Sequence, residues 1–204
     1  MGRRDRGPGP LPRPGVLAWP GRPRRGRAFR VLILGGARSG KSVTAERLLS
    51  SREQVEYVAT GPVPDDADPE WAERVRLHQR RRPGHWTTLE TLDLERVLSV
   101  PGPAGVLVDC LSTWLAGSMA ESGLWDGADD AGKKVAERVD GLVDAWRSTR
   151  RHVVAVSNEV GSGVVPATAS GVRFRDELGV LNARIAAECE QVWLCTAGIA
   201  RRMR

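Results

Sequence analysis

Long apolar runs, paired cysteines and signal-like segments are all missing from this 204-residue sequence. No apolar stretch approaches the roughly 20 residues that a membrane helix needs, and the arginine-rich start contains no continuous apolar segment of the kind that a signal peptide needs. The three cysteines, Cys110, Cys189 and Cys195, are an odd set without CxxC spacing, which argues against a disulfide framework or a zinc site. We therefore expect a cytoplasmic protein with reduced thiols and no membrane span.

Lysine is also scarce, with three residues against 28 arginines, and the arginines are unevenly placed. Residues 1–30 hold nine arginines and one acidic residue, a charge of +8; because the total is +6, the remaining chain carries −2. Pro, Gly and Arg without hydrophobic periodicity cannot bury enough surface to offset chain entropy. We predict a disordered Arg/Pro/Gly-rich extension over residues 1–29 and one domain over residues 30–204. A nucleic-acid-binding arm and a translation start placed too far upstream are the alternatives.

Five short apolar runs rich in β-branched residues alternate with segments of helical periodicity. The runs are Arg30–Leu34, Val55–Ala59, Val106–Asp109, Val153–Ser157 and Val192–Thr196. Continuous apolar runs are typical of parallel strands that are covered on both faces. Over Lys133–Trp146, and again near residues 178–185, apolar residues recur on one helical face. The alternation predicts a single α/β domain with a mostly parallel central sheet flanked by helices.

A glycine-rich turn after the first run matches the phosphate-loop pattern G-x4-G-K-S. Its residues are Gly35, Gly36, Ala37, Arg38, Ser39, Gly40, Lys41 and Ser42. In such a loop, backbone N–H groups point at phosphate oxygens and the lysine contacts the β- and γ-phosphates. A glycine-rich turn without a ligand is the alternative, but one of only three lysines falls at the required position. The pattern predicts a P-loop NTPase-like domain that binds ATP or GTP, with Lys41 as a catalytic residue.

A Mg²⁺ ion that accompanies the nucleotide needs oxygen ligands beside this loop. The hydroxyl of Ser42 and the carboxylate of Asp109, which closes the apolar run 106–109, are the candidates. An aspartate at a strand end can also cap the following helix. A structural role for Asp109 is therefore the alternative.

His78 lies between Arg74 and Trp86 in a segment with five arginines and a second histidine. Guanidinium groups match phosphate oxygens in shape and charge, and a neutral imidazole can attack phosphorus. A solvated basic helix is the alternative for His78, and it is the default interpretation for His85 and His152.

Six motifs occur in an order that resembles one known family. They are GGARSGKS (35–42), YVAT (57–60), RVRLHQRRRPGHW (74–86), LVDCLSTWL (107–115), SNEVGSGVVP (157–166) and FRDELGVLN (174–182). The family is the bifunctional adenosylcobinamide kinase/adenosylcobinamide-phosphate guanylyltransferase of cobalamin biosynthesis, and the resemblance runs from about Arg30 to Ile199. The phosphate loop is shared by many families, whereas the SNEVGxGxVP and RPxHW blocks are far more specific.

The resemblance implies two successive reactions. Family members phosphorylate the aminopropanol hydroxyl of adenosylcobinamide with ATP or GTP, and then transfer GMP from GTP to that phosphate with release of pyrophosphate. The second reaction passes through GMP bonded to a histidine, and the matching residue here is His78. Leu77 stands where some members have another histidine.

The same resemblance implies further site residues and partners. Thr60, Gly61 and Pro62 match a strand-end loop that borders the nucleotide, while Glu90 and Asp109 match acidic positions that contact the guanine nucleotide. Adenosylcobinamide and ATP or GTP with Mg²⁺ are the expected ligands, and no nucleic-acid partner is expected. Known members assemble as trimers, so a homo-oligomer is expected.

Two other functions fit parts of the sequence. A small-molecule P-loop kinase would use the phosphate loop but carry out no nucleotidyl transfer. A nucleic-acid-associated P-loop ATPase would use the arginines of residues 1–30 as an arm, although the near-neutral charge of the remaining chain disfavours it.

Overall fold

The structure, a computed structural model, describes residues 28–65 and 67–204. Within these residues the chain forms a seven-stranded sheet and six helices. The strands are β1 (Arg30–Gly35), β2 (Val55–Ala59), β3 (Thr87–Glu90), β4 (Gly105–Asp109), β5 (Val153–Asn158), β6 (Gln191–Thr196) and β7 (Ile199–Arg202). The helices are α1 (Lys41–Leu49), α2 (Pro69–Arg81), α3 (Leu94–Ser99), α4 (Leu111–Glu121), α5 (Ala131–Ser148) and α6 (Ala169–Ala187).

The sheet is parallel apart from one edge strand. Its order is β3-β2-β4-β5-β1-β6-β7, and of these described strands β7 alone runs antiparallel to its neighbour. β5 lies between β1 and β4, with Asn158 opposite Gly35. The strand before the phosphate loop and the strand that ends at Asp109 are therefore one strand apart, and their carboxyl ends meet at the same edge of the sheet.

Alternating strand residues feed two hydrophobic layers, one on each face of the sheet. Leu32 belongs to the layer formed with α3, α4, α5 and α6, which contains the buried Trp114 and Trp146. Ile33 and Tyr57 belong to the opposite layer, which is formed with α1. The predicted α/β architecture, with a mostly parallel sheet flanked by helices, is confirmed.

All five predicted strands are present, and two further strands lie at the edges of the sheet. β3 and β7 each have three exposed residues out of four. Neither edge strand therefore shows the continuous apolar run that identifies the buried strands. The helix predicted over Lys133–Trp146 is confirmed within α5, and the C-terminal helical segment lies within α6.

The extension predicted over residues 1–29 falls largely outside the described residues, which begin at 28. The carbonyl of Phe29 accepts a hydrogen bond from the amide of Val153 at 3.0 Å, and its side chain packs against the layer around α1. Phe29 therefore joins the domain, and disorder stays a prediction for residues 1–27. A helix both long and apolar enough to cross a membrane does not occur in the described part of the chain.

Candidate active site

The phosphate loop joins β1 to α1 through two residues with left-handed backbone conformations. Arg38 has a φ of 55° and Gly40 a φ of 95°, after which Lys41 begins the helix. The Lys41 ammonium folds back and donates to the carbonyl of Gly36 at 3.1 Å. Burial lowers the pKa of Lys41. A bound phosphate would stabilise the charged form of this side chain.

The turn between β6 and β7 is hydrogen-bonded to the phosphate loop. The amide of Gly198 donates to the carbonyl of Ser39 at 3.0 Å. A Cβ atom on Gly35 would lie 2.4 Å from the Oγ of Ser39 and 2.6 Å from the carbonyl oxygen of Cys195, so a side chain does not fit there. The buried Ser39 hydroxyl has no hydrogen-bond partner among the described residues. It therefore keeps its capacity to bond a ligand.

Asp109, at the end of β4, joins side chains from three elements. Its Oδ2 atom accepts a hydrogen bond from the Tyr57 hydroxyl of β2 at 2.7 Å, and lies 3.5 Å from Nδ1 of His78 on α2. Burial acts to raise the pKa of Asp109, but the contacts with His78 and Tyr57 outweigh it and the pKa is lowered. The Ser42 hydroxyl contributes in the same direction. Asp109 is therefore an ionised carboxylate beside the phosphate loop.

Arg82, directly after α2, covers the ring of Tyr57. Its guanidinium carbon lies 3.3 Å from the ring centre, and Nη1 donates to Oγ1 of Thr88 at 3.1 Å. Its Nε atom is buried and has no hydrogen-bond partner in the described part of the chain. Arg82 thus brings a positive charge to the cavity that Tyr57 and His78 also line.

Two cavities adjoin at α2. The phosphate-loop cavity, of about 600 Å³, lies between the loop and one side of α2. The other cavity, of about 150 Å³, lies between α2 and the ends of β2, β3 and β4, and is called the Tyr57 cavity below. Arg74 and His78 line both cavities. A ligand that extends from one cavity into the other would pass these two side chains.

Most predicted site residues lie around these two cavities. The phosphate-loop cavity is lined by Arg38, Ser39, Gly40, Lys41 and Ser42, and the Tyr57 cavity by Gly61, Pro62, Glu90 and Asp109. Gly35, Gly36 and Ala37 form the first part of the loop and do not line either cavity. That these residues contact a nucleotide stays a prediction.

Thr60 differs from the other strand-end residues predicted to border the nucleotide. Its buried hydroxyl contacts the amide of Cys110 at 3.0 Å, the carbonyl of Cys110 at 2.6 Å and the hydroxyl of Thr113 at 2.7 Å. One proton and two lone pairs are all that a threonine hydroxyl offers. The Thr60 side chain therefore joins the end of β2 to the start of α4. The Thr60 amide donates to the carbonyl of Asp109 at 3.3 Å, so the carbonyl of Thr60 is the group that remains for a ligand.

The first turn of α2 attaches this helix to the loop that follows β2. No residue of α2 is buried. Asp68 caps the helix by accepting from the amide of Trp71 at 2.9 Å, and the Trp71 indole donates to the carbonyl of Pro62 at 2.9 Å. A Cβ atom on Gly61 would come within 2.5 Å of the indole ring. Trp71 thus sets the distance between α2 and the end of β2.

Several residues that line the Tyr57 cavity were not predicted as site residues, and Tyr57, Trp71, Arg82 and Asn158 are among them. In sequence, Tyr57 looks like any core residue of an apolar strand, and Arg82 is one of five arginines in its segment. Asn158 offers a usable signal, because it follows an apolar run and so falls at the same sheet edge as Asp109. The backbone carbonyl of Asn158 accepts a hydrogen bond from the side-chain amide of Asn182 at 3.0 Å, which connects the end of β5 to α6.

The Ser42 hydroxyl interacts with the Asp109 carboxylate, so these two side chains can offer oxygen ligands to a Mg²⁺ ion that also binds phosphates. Mg²⁺ is commonly held by one or two carboxylates and substrate phosphates rather than by a cage of protein ligands. No group of three or more His, Cys, Asp or Glu residues able to hold a metal occurs in residues 28–65 and 67–204, and all three cysteines are free thiols. The donors present therefore fit a phosphate-bridged Mg²⁺.

A solved structure of an ATPase from a bacterial type III secretion system has a similar fold. It superposes with a TM-score of 0.54 at 12% sequence identity, over 82% of this chain and 51% of the other. This chain thus spans about half the length of that ATPase. The likeness concerns the fold alone and confirms the predicted P-loop NTPase-like domain.

Sequence comparison places the chain among closer relatives. A family model described as cobinamide kinase / cobinamide phosphate guanyltransferase matches residues 31–203. The bifunctional adenosylcobalamin biosynthesis protein CobP of Pseudomonas aeruginosa is 41% identical over 175 residues, which cover 84% of this chain and 95% of CobP. The bifunctional adenosylcobalamin biosynthesis protein CobU of Salmonella typhimurium is 34% identical over 183 residues, which cover 85% of this chain and 99% of CobU. As its six motifs predict, the chain belongs to the cobinamide kinase / cobinamide phosphate guanyltransferase family.

Proposed function

We propose that this chain catalyses two reactions of cobalamin biosynthesis. The first is phosphorylation of the hydroxyl of adenosylcobinamide by ATP or GTP. The second is transfer of GMP from GTP to the resulting phosphate, which forms adenosylcobinamide-GDP and releases pyrophosphate. Membership of the family supports this pair of reactions, as do the relatives described as bifunctional proteins of adenosylcobalamin biosynthesis.

The observation that carries this proposal is the position of His78 between two cavities. On one side the phosphate loop supplies donors for the β- and γ-phosphates. On the other side the Tyr57 cavity, with the exposed Glu90 at its edge, suits a nucleoside. A GTP molecule that spans both cavities would bring its α-phosphate to His78 and Arg74. A kinase without nucleotidyl transfer needs no histidine at that point.

In the transfer reaction, the His78 imidazole attacks the α-phosphorus of GTP. The bond from this phosphorus to the oxygen that bridges to the β-phosphate breaks, and pyrophosphate leaves with the electron pair. The phosphate of the acceptor then attacks the same phosphorus and releases the imidazole. Arg74 and Lys41 line the phosphate-loop cavity, where they can stabilise the charge that develops on the phosphate oxygens.

In the kinase reaction, the reacting group is the γ-phosphate. Lys41 and the backbone N–H groups of the loop hold the β- and γ-phosphates in place. Ser42 and Asp109 would hold Mg²⁺, which when bound neutralises charge on the phosphate oxygens. The kinase thus depends on the phosphate loop and needs no contribution from His78 as a nucleophile.

Glu90 is the better placed of the two acidic residues for recognising guanine. Oδ2 of Asp109 is already engaged by Tyr57 and His78, whereas Glu90 is exposed at the end of β3 and lines the Tyr57 cavity. A carboxylate accepts hydrogen bonds from the N1–H and N2–H₂ groups that distinguish guanine from adenine. We therefore assign the preference for GTP in the transfer step to Glu90.

GTP labelled at one phosphate tests the two activities and their alternatives. With adenosylcobinamide as acceptor, γ-label is expected in adenosylcobinamide phosphate, and α-label in adenosylcobinamide-GDP with one pyrophosphate per GMP transferred. A small-molecule kinase would transfer γ-label alone and release no pyrophosphate. A nucleic-acid-associated ATPase would transfer neither label to the corrinoid and would hydrolyse ATP faster with added DNA or RNA. Either of these outcomes would overturn the proposal.

A homo-oligomer, with the trimer of known members as its expected form, is part of the same proposal. α2 has no buried residue, Leu77 on α2 is 49% exposed, and Val164 after β5 is 95% exposed. Exposed apolar residues of this kind suit contacts with another subunit. Light scattering should give a mass about three times the 22.2 kDa of one chain. A monomeric mass would contradict the assembly.

A further inference from the structure

His78 can attack phosphorus only through an unprotonated ring nitrogen, and a neutral imidazole has one such nitrogen. The hydrogen bond that the other nitrogen makes decides which of the two is unprotonated. Nδ1 of His78 lies 3.5 Å from Oδ2 of Asp109. An ionised carboxylate only accepts hydrogen bonds, so this contact favours a proton on Nδ1 and leaves the lone pair on Nε2.

Tyr57 holds this carboxylate in place. Its hydroxyl donates to the same Oδ2 atom at 2.7 Å. The side chain is 2% exposed and packs in the layer around α1, so its hydroxyl has a fixed position. Burial, assisted by the nearby charge of Asp109, raises the pKa of Tyr57 and keeps the proton on its oxygen. The Arg82 guanidinium, 3.3 Å from the ring centre, packs on the phenol.

From these contacts we propose that Tyr57 and Asp109 are positioning residues for GMP transfer. They hold His78 as the tautomer with its proton on Nδ1, so that Nε2 attacks the α-phosphorus. The 3.5 Å separation is long for a hydrogen bond, but catalytic contacts in ligand-free enzymes are often long and tighten when substrate binds. The inference rests on the proposed function, because it concerns the histidine that carries GMP.

The arrangement also balances charge through both steps of the transfer. As Nε2 bonds to phosphorus, the bond to the bridging oxygen breaks and pyrophosphate leaves with the electron pair. The ring then carries a positive charge, because Nδ1 keeps its proton, and the Asp109 carboxylate stabilises that charge. When the acceptor phosphate displaces the imidazole, the electrons of the N–P bond return to Nε2. No proton has to move onto or off the ring in either step.

Nitrogen-15 NMR of the full-length chain, with ring-labelled histidine, observes the tautomer directly. The chain has three histidines, so His85→Gln and His152→Gln variants assign the remaining signal to His78. At a pH where the ring is neutral, we expect a proton on Nδ1 and an unprotonated Nε2. In Tyr57→Phe we expect a mixture of the two tautomers. A wild-type His78 with its proton on Nε2 would overturn the proposal.

The rate of GMP adduct formation from GTP is the second readout. Tyr57→Phe should lower this rate about 10- to 100-fold, the effect of losing a hydrogen bond to a charged group, while leaving the Kd for GTP unchanged. Tyr57 is the only tyrosine in the sequence. Biosynthetic incorporation of fluorotyrosine therefore alters this residue alone, keeps the hydroxyl, and should retain most of the wild-type rate.

The outcomes separate this inference from the proposed function. An unchanged tautomer and an unchanged rate in Tyr57→Phe would overturn the inference and leave GMP transfer through His78 standing. A wild-type chain without any GMP adduct would overturn the proposed function, and the NMR spectrum would still decide the tautomer. If Tyr57→Phe does not fold, Asp109→Ala takes its place. Removal of the carboxylate leaves Nδ1 without its acceptor and should give a mixture of the two tautomers, and a His78 that keeps its proton on Nδ1 alone would count against the inference.

Discussion

The hydroxyl of Thr60 has one proton and two lone pairs, and Cys110 and Thr113 engage all of them. The hydroxyl of Ser39, which is also buried, has no partner within the described residues. Both residues lie in motifs predicted to border the nucleotide, yet Ser39 alone keeps its side-chain capacity for a phosphate. The hydrogen-bond partners of a side chain therefore distinguish a residue that stabilises the site, such as Thr60, from a residue that can bind a ligand, such as Ser39.

Thr60→Val tests this distinction at the residue scale. Valine has nearly the same shape but removes the hydroxyl that contacts the amide of Cys110 at 3.0 Å, the carbonyl of Cys110 at 2.6 Å and the hydroxyl of Thr113 at 2.7 Å, which should lower the free energy of unfolding by about 1–3 kcal/mol. Urea unfolding measures this change, and the Kd for GTP should stay the same. Thr87→Val on the exposed face of β3 is the matched control, with an expected change of about 0.5 kcal/mol or less. Equal stability of the two variants would refute the structural role of Thr60.

Individual site residues could be predicted from the sequence where a motif fixes their spacing. The loop from Gly35 to Ser42 and the strand-end position of Asp109 follow from pattern and topology. The role of Tyr57 did not follow from the sequence, because it depends on contacts with Asp109 and Arg82, which lie on other elements. Packing of the folded chain brings these side chains together. Sequence indicated that His78 is chemically capable, and the structure supplied the neighbours that orient it.

At the scale of elements, α2 differs from the other five described helices because none of its residues is buried. It nevertheless carries His78 and Arg74, which line both cavities. Its attachment through Trp71 to Gly61 and Pro62 therefore matters more for the site than for the core.

Trp71→Ala should accordingly impair activity far more than stability. Loss of the indole releases α2 from the end of β2, and the KM for GTP should rise about tenfold through misplaced phosphate contacts. The free energy of unfolding should change by about 1 kcal/mol or less, because no apolar core is opened. Trp125→Ala, a change at a 41% exposed tryptophan outside both cavities, is the control for loss of an indole. A large loss of stability with an unchanged KM would contradict this role of α2.

The start of β1 is tied to the start of β6 by a second element-scale contact. The Glu190 carboxylate accepts from the Arg30 amide at 2.6 Å and from Nη2 of its guanidinium at 2.8 Å. Burial acts to raise the pKa of Glu190, but the bonds from Arg30 outweigh it and the pKa is lowered. A lowered pKa in the folded state adds stability above the unfolded value, and this stability is lost as the pH falls through the folded pKa.

Glu190→Gln should therefore lower the free energy of unfolding at pH 7 by about 1–3 kcal/mol. The difference from wild type should shrink as the pH falls below the ordinary Glu value of 4.5, because the wild-type carboxylate then also becomes neutral. Urea titrations across this range provide the measurement. Glu137→Gln, in an ion pair whose side chains are 75% and 65% exposed, should change stability by about 0.5 kcal/mol or less at any pH. A pH-independent effect of Glu190→Gln would rule out the charge of Glu190 as its cause.

The two strands that the sequence pattern did not predict share one property. β3 and β7 are short edge strands with mostly exposed side chains, so their pairing with β2 and β6 depends on backbone hydrogen bonds rather than on a hydrophobic pattern. The five buried strands are recognisable in the sequence as continuous apolar runs, because both of their faces are covered. A local pattern therefore predicts the interior of the sheet better than its edges.

At the scale of the whole molecule, the parallel sheet gathers the site at one edge. Gly35, Asp109 and Asn158 end three adjacent strands, β1, β4 and β5, and α2 lies across the two cavities in front of them. The sequence predicted that these residues lie together, because the carboxyl ends of parallel strands lie at the same edge of the sheet. The division into two cavities with His78 between them was not predicted, because it depends on where α2 lies.

Removal of residues 1–27 tests whether the arginine-rich segment takes part in the activity. The domain was predicted to begin at residue 30, and the structure adds Phe29, which contacts Val153, so the shortened chain should form the GMP adduct at the wild-type rate. Binding of DNA at low salt, if the full-length chain shows any, should weaken as counterion release from the arginines is lost. Loss of adduct formation in the shortened chain would show that residues 1–27 take part in the transfer reaction, contrary to this expectation.

His78 is proposed to carry GMP between GTP and the corrinoid phosphate. Incubation of the full-length chain with GTP labelled at the α-phosphate, followed by mass spectrometry of the labelled peptide, tests this role of His78. We predict an acid-labile, base-stable GMP adduct on His78, formed with release of pyrophosphate, absent from His78→Ala and retained in His85→Ala. A wild-type chain that forms no adduct, or an adduct that persists in His78→Ala, would rule out His78 as the residue that carries GMP.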